Sequence, residues 1–199
     1  MTRSETPSAP PSDARLRAIL AFLQDAERLK DTLRSGATSQ GRAESTAEHS
    51  WRLCLMACLF EDDLDGIDML RLLKLCLVHD LGEAISGDVP ATRQTPDDNR
   101  QARERRDMQR LCDPLPPDMQ ASMMALWDEY ADARTPEAVM AKGFDKLETM
   151  LQHVLGRNAP DFDYAFNLTY GTAQTARHPL LRQIRTLVDE ATRERAGRP

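Results

Sequence analysis

This sequence is poor in the features that mark several large functional classes. Aromatic residues make up 5% of the chain, and runs that alternate apolar with polar residues are missing. The usual signals of a β-sandwich or barrel are therefore absent. No apolar stretch approaches the ~20 residues of a membrane-spanning helix. Positive charge is not in excess. The net charge of −6 argues against a general binder of nucleic acid polymers, although local basic groups can still hold a small phosphate. The first residues, rich in Pro, Ser and Thr, lack the apolar core of a signal peptide. Cysteine is limited to Cys54, Cys58, Cys76 and Cys112. Three of these fall in apolar helical stretches and read as core thiols in a reducing compartment, in preference to a metal grip by Cys54 and Cys58 one turn apart. A cytoplasmic protein without membrane association is expected.

What remains is a chain of 199 residues, 41% hydrophobic and 29% charged, enough to bury a core as one domain. Residues 1–12 are expected to be a disordered tail, and residues 13–195 the folded domain. Asp13 is a candidate cap for a helix to about Lys30, with Leu16, Ile19, Leu20, Leu23 and Leu29 inward. Residues 34–44 read as a polar loop. Ser45-Thr-Ala-Glu48 is a capping box, and Leu53, Met56, Ala57 and Phe60 follow the helical period after it. A central apolar helix is expected from Ile67 to about Ile85, stopped by Gly87. Further helices are expected over residues 97–112, 118–133, from Thr135-Pro136-Glu137 to Gly156, and over 180–195. The second-last carries Met140, Phe144, Leu147, Leu151 and Leu155 inward. The last carries Leu181, Ile184, Leu187, Val188 and Ala191. The expected fold class is all-α, a single bundle of about seven helices.

Four histidines occur, and two of them sit in suggestive places. His79-Asp80 follows the apolar run from Leu72 to Val78. Ionisable groups at the end of such a helix are costly unless something binds them, and a divalent metal ion is the simplest candidate. His49 lies in the first turn after the capping box. Asp145, Glu148 and Gln152 share a face of a third helix by their spacing. Imidazole and carboxylate together suit Mn, Fe, Co, Ni or Zn better than calcium. Glu83 stands one turn beyond His79 and Asp80, placed to handle protons beside such an ion. The plain alternatives are a satisfied core histidine and a surface glutamate. His153 and His178 read as surface or capping residues. Trp51 and Trp127 read as core or interface residues. Arg100, Arg103, Arg105, Arg106 and Arg110 read as a solvated face with Glu104 and Asp107.

Taken together, Glu48-His49-Ser50, Leu77-Val78-His79-Asp80-Leu81-Gly82-Glu83, Gly87-Asp88-Val89-Pro90 and Asp145-Lys146-Leu147-Glu148 resemble the HD-domain metal-dependent phosphohydrolases, in particular the 5′-deoxynucleotidase branch. Leu126 to Tyr130 and Thr135 to Ala138 extend the similarity, which covers about residues 29–155. The resemblance implies an all-helical fold, one divalent ion (Mn, Co, Fe, Ni, Zn or Mg), and removal of phosphate from deoxynucleoside 5′-monophosphates. It implies metal ligation by His49, His79, Asp80 and Asp145, a catalytic Glu83, and Asp88 as its helper. Arg34 matches a basic position that grips phosphate, with help from Lys30 or Lys146. Ser35-Gly36-Ala37 replaces an aromatic that relatives often carry after that arginine. A homodimer is also implied. Hydrolysis of alarmones is the competing reading, but Ala84 stands where a second acid is typical. Cyclic-dinucleotide cleavage would call for further histidines. A non-catalytic metal- and nucleotide-binding protein would need neither Glu83 nor Asp88.

Overall fold

The structure is a computed structural model that describes residues 10–93 and 99–197. Most of the expected N-terminal tail and the expected helix start at Asp97 lie outside the described residues. Among the described residues, seven α-helices of ten residues or more dominate, so the all-α expectation holds. They are α1 (Asp13–Ala26), α2 (Thr46–Leu59), α3 (Met69–Val78), α5 (Arg100–Cys112), α6 (Pro117–Asp132), α7 (Pro136–Leu155) and α9 (Pro179–Ala196). Two four-residue turns, α4 (Glu83–Ser86) and α8 (Thr172–Thr175), complete the set.

Local chemistry explains the helix starts. Ser12, not Asp13, caps α1 by accepting a hydrogen bond from the Arg15 backbone. Ser45 and Glu48 close the capping box at α2 reciprocally. Thr135 caps α7, with Pro136 at the first position. His178 caps α9 through its ring nitrogen, as a capping histidine should.

Several expectations change. Residues expected to form a polar loop instead make a short antiparallel ribbon, β1 (Leu33–Ala37) with β2 (Ala43–Ser45). Its strands are too short and too polar to show alternation in the sequence. The helix expected to run to Ile85 stops at Val78, and residues 79–82 form a turn before α4. The apolar period passes straight through that break, so periodicity alone cannot reveal it. The central helix is α7, not α3. Met140, Phe144 and Leu147 are fully enclosed on α7, while Leu70 and Leu77 of α3 are exposed. On α1, Phe22 points inward, and Leu16, Leu20 and Leu23 are exposed. Leu155 and Leu187 are exposed as well.

The turn after α3 depends on a close approach. A Cβ on Gly82 would lie 2.9 Å from the Glu104 carbonyl oxygen and 3.0 Å from the Met108 amide nitrogen, both backbone atoms of α5. Only glycine lets α5 lie against the segment that carries His79, Asp80 and Glu83. Gly82→Ala is expected to destabilise the fold by about 1–3 kcal/mol, the usual range for overpacking. Denaturant melts of the two proteins would check it; an unchanged midpoint would refute the close-packing account.

Candidate metal centre

Three helices deliver the expected residues to one point. His49 comes from the first turn of α2, His79 and Asp80 from the end of α3, and Asp145 from the middle of α7. The Nε2 atom of His49 lies 3.3 Å from Asp145 Oδ1 and 3.9 Å from Asp80 Oδ2. The Nε2 atom of His79 lies 3.0 Å from Asp80 Oδ2 and 4.0 Å from Asp145 Oδ1. His49, His79 and Asp145 are all buried and together form a group able to hold a metal ion.

The orientation of the rings is informative. Both Nε2 atoms are buried without a hydrogen-bond partner among the described residues. They come near carboxylate oxygens, but out of line for an N–H bond. The opposite ring nitrogens are engaged. His79 Nδ1 donates to the Cys76 carbonyl at 2.8 Å, and His49 Nδ1 meets Glu148 Oε2. Arg52 in turn donates to Glu148 Oε1 at 2.6 Å. A ring fixed through Nδ1, with Nε2 aimed at carboxylates and left unpaired, is the arrangement that suits a metal-ligating histidine. The donor set of two imidazoles and two carboxylates fits a divalent transition ion.

Electrostatics point the same way. Burial pushes Asp80 up, yet His79 and Arg34 hold its carboxyl below the ordinary range. Asp145 is likewise held well below, against its burial, by Lys146 and both imidazoles. Its Oδ2 accepts from Tyr130 at 2.6 Å and from Lys146 Nζ at 2.8 Å, which leaves Oδ1 facing the histidines. Burial, with Asp80 and Asp88 beside it, pushes Glu83 well above its ordinary value. Thr46 donates to Glu83 Oε2 at 3.0 Å. Asp88 is raised by burial and by Asp80, against the pull of Arg34.

Arg34 projects from β1 into the same place. Its guanidinium reaches Asp80 at 3.3 Å and Thr149 at 3.0 Å. Arg34, His79, Asp80, Glu83, Asp88, Asp145 and Lys146 line one cleft of about 920 Å³. Lys30 instead pairs with Glu27 on the surface at 3.3 Å. Several residues here escaped the sequence reading. Tyr130 and Thr46 fall inside the motif segments but receive no site role from the sequence, and Thr149 lies outside them. Glu148 stood on the right helical face, but its bond to His49 is a tertiary fact. Arg100 and His153, read as solvated or surface residues, line the cleft. Cys58 is exposed, not a core thiol. Trp127 is buried as expected, whereas Trp51 is exposed.

The HD-domain family model matches residues 26–185. This chain belongs to the HD-domain family. This HD domain is 32% identical over 190 residues to the human 5′-deoxynucleotidase HDDC2, covering 90% of this chain and 87% of that protein. It is 33% identical over 146 residues to the 5′-deoxynucleotidase hdd1 of Schizosaccharomyces pombe, covering 70% of this chain and 72% of that one. A crystal structure from Magnetospirillum magnetotacticum, described as a predicted metal-dependent phosphohydrolase, superposes with a TM-score of 0.78 at 31% identity, over 94% of this chain and all of that one. The cyanophage S-2L HD phosphohydrolase, solved with dA and one catalytic Zn²⁺, shares the fold at 18% identity and a TM-score of 0.57, over 86% of this chain and 96% of that one.

The centre has a definite pH signature. Burial and Arg34 push His49 down, but Glu148 and Asp145 more than offset them, and the imidazole sits at about 9. Below that pH a metal ion held through His49 would have to displace its proton, so affinity would rise with pH and level off above it. Mn²⁺ affinity is expected to increase about tenfold per unit between roughly pH 6 and 8. Calorimetry in buffers of different ionisation enthalpy would count the released proton; pH-independent binding without proton release would contradict this.

Proposed function

We propose that residues 13–195 act as one metal-dependent phosphomonoesterase domain that hydrolyses deoxynucleoside 5′-monophosphates to deoxynucleoside and phosphate. The observation that carries the reading is the meeting of two unpaired buried imidazole nitrogens with Asp80 and Asp145, beside Glu83 and Arg34, at one end of the cleft. The named activity of the relatives supports the same choice.

In this reading His49, His79, Asp80 and Asp145 hold one divalent ion, drawn from Mn, Co, Fe, Ni, Zn and Mg. When bound there, it supplies Lewis acidity to the phosphate and makes water more acidic. The protein's own groups do the rest. Arg34 exchanges part of its hold on Asp80 and Thr149 for two phosphate oxygens, a geometry its planar fork favours. Lys146, anchored on Asp145, adds positive charge behind the phosphate. Water attacks phosphorus in line with the ester bond, the new P–O bond forms, and the bond to the 5′-oxygen breaks. The proton lost by water ends on the departing 5′-oxygen. Glu83, with Asp88, relays it; burial and neighbouring carboxylates raise both carboxyls above their ordinary values, which favours their taking up a proton.

The substrate is a small nucleotide and not a nucleic acid polymer. Free thiols fit a reducing cytoplasmic setting, and no described helix is long and apolar enough to cross a membrane. We also place this chain in a homodimer. Trp51, Leu55 and Leu59 form a stripe along α2 at four-residue spacing with exposures of 65%, 43% and 74%, the kind of apolar patch that marks an association surface.

Three measurements, of phosphate release, bound metal and mass in solution, test these readings. Phosphate release from metal-reconstituted protein is expected with deoxyribonucleoside monophosphates, and none with alarmones or cyclic dinucleotides. Asp80→Ala should lose bound metal and turnover together. Glu83→Gln should keep the metal and lose turnover by about 10²–10⁴-fold, the range of a proton-transfer group; full activity in that variant would remove Glu83 from the mechanism. In light scattering, wild type is expected at twice the chain mass and Trp51→Glu at one. A monomeric wild type would end the dimer assignment.

A further inference from the structure

The cleft extends well past the groups that handle phosphate. Asp145, Thr149 and His153 recur every fourth residue on one face of α7, and all three line it. At 1.5 Å per residue they span about 12 Å of helix axis. That matches the reach from phosphorus to the far edge of the base in a nucleoside monophosphate. Arg34 is bonded to Thr149 and Asp80 at the near end. The far end is bounded by His153 and Phe162, and Phe166 lines the cleft between them and Tyr170, which lies against Lys146.

This far wall is aromatic, with Asp161 and Asp163 beside Phe162, and it is held rigid. Phe162 meets the His153 ring edge-on, with centroids 4.8 Å apart, and Phe166 lies 5.6 Å from Tyr170. Both phenylalanines are only half-buried, so their rings are packed on the protein yet still accessible. The segment carrying them is pinned from below by the buried Arg185, which donates to the carbonyls of Asn167, Leu168 and Tyr170 at 2.9, 2.9 and 2.7 Å. His153 Nδ1 donates to Asn167 Oδ1 at 3.0 Å, which leaves Nε2 as an acceptor. Burial lowers the His153 pKa. Gly36 of β1 lies against this edge. A Cβ there would sit 3.0 Å from His153 Cδ2 and 3.4 Å from Nε2, so any side chain at 36 would crowd the acceptor.

We infer that His153, Phe162 and Phe166 form the nucleobase subsite, with the rings supplying a stacking surface and His153 Nε2 accepting a hydrogen bond from the edge of the base. The inference rests on the substrate being a deoxynucleoside 5′-monophosphate. Every base offers a π-face and at least one donor, so the subsite recognises a base without demanding one kind.

The test is steady-state phosphate release by the metal-loaded protein on dAMP and dTMP, with inorganic phosphate as a base-free competitive inhibitor. Phe162→Ala and Phe166→Ala are each expected to raise KM about tenfold, in keeping with the strength of base–aromatic stacking. The turnover number and the phosphate inhibition constant should stay at wild-type values. Phe162→Tyr, which keeps a ring, should restore KM, and Phe162→Leu should not. An unchanged KM in both alanine variants would overturn the inference. So would a parallel rise in KM and in the phosphate constant, which marks general loosening of the cleft. Wild-type protein that cleaves no deoxynucleoside monophosphate would overturn the substrate reading itself and the subsite with it.

Discussion

The structure is organised around negative charge kept out of water. Glu44, Glu83, Asp145 and Glu148 are buried in one region of the interior, and Asp80 is close to it. Isolated carboxylates in such a setting are prohibitively costly. The fold answers with named cations: Arg34 against Asp80 and Glu44, Arg52 against Glu148, and Lys146 against Asp145. The match is incomplete. Glu44 is pushed up to about 7 by burial and Glu148, and Glu83 is raised well above its ordinary value by burial, Asp80 and Asp88. Raised carboxyls beside two unpaired imidazole nitrogens are the electrostatic expression of a missing positive charge, which a divalent ion would supply.

Each helix pays into this centre with a different kind of precision. The capping box fixes where α2 begins and therefore where His49 stands. The enclosed middle of α7 fixes Asp145 and Glu148 on one face. The end of α3 fixes His79, whose ring is locked to the carbonyl one turn back. The ribbon brings Arg34 across from outside the bundle, and Gln152 ties it to α7 by donating to the Ala37 carbonyl at 2.6 Å. A site assembled from separated segments needs each segment's local geometry to be right before tertiary packing can align them.

That explains what the sequence reveals and what it conceals. Helix starts are legible because capping residues act within four positions: Ser45 with Glu48, and Thr135 with Pro136. The four candidate ligands were legible as motifs, and the structure brings them together. The break after Val78 was not, because the apolar pattern runs through it and the cause, contact between Gly82 and α5, is tertiary. The ribbon was not, because Arg34, Ser35 and Gly36 carry no strand signature. The inward side of α1 was misread because its leucines outnumber its true anchor, Phe22. His153 looked like a surface residue in the chain; only folding places Phe162 and Asn167 beside it.

The turn at Gly82 has a mechanical consequence. His49 and Asp145 belong to α2 and α7, which are gripped by the core, whereas Glu83 opens a four-residue helix whose foundation is the backbone of α5. A displacement of α5 would therefore be transmitted to Glu83 before it reached His49 and Asp145. Because His79 and Asp80 share the segment around Gly82, substitutions on α5 remote from the cleft would shift them together with Glu83 against the fixed positions of His49 and Asp145.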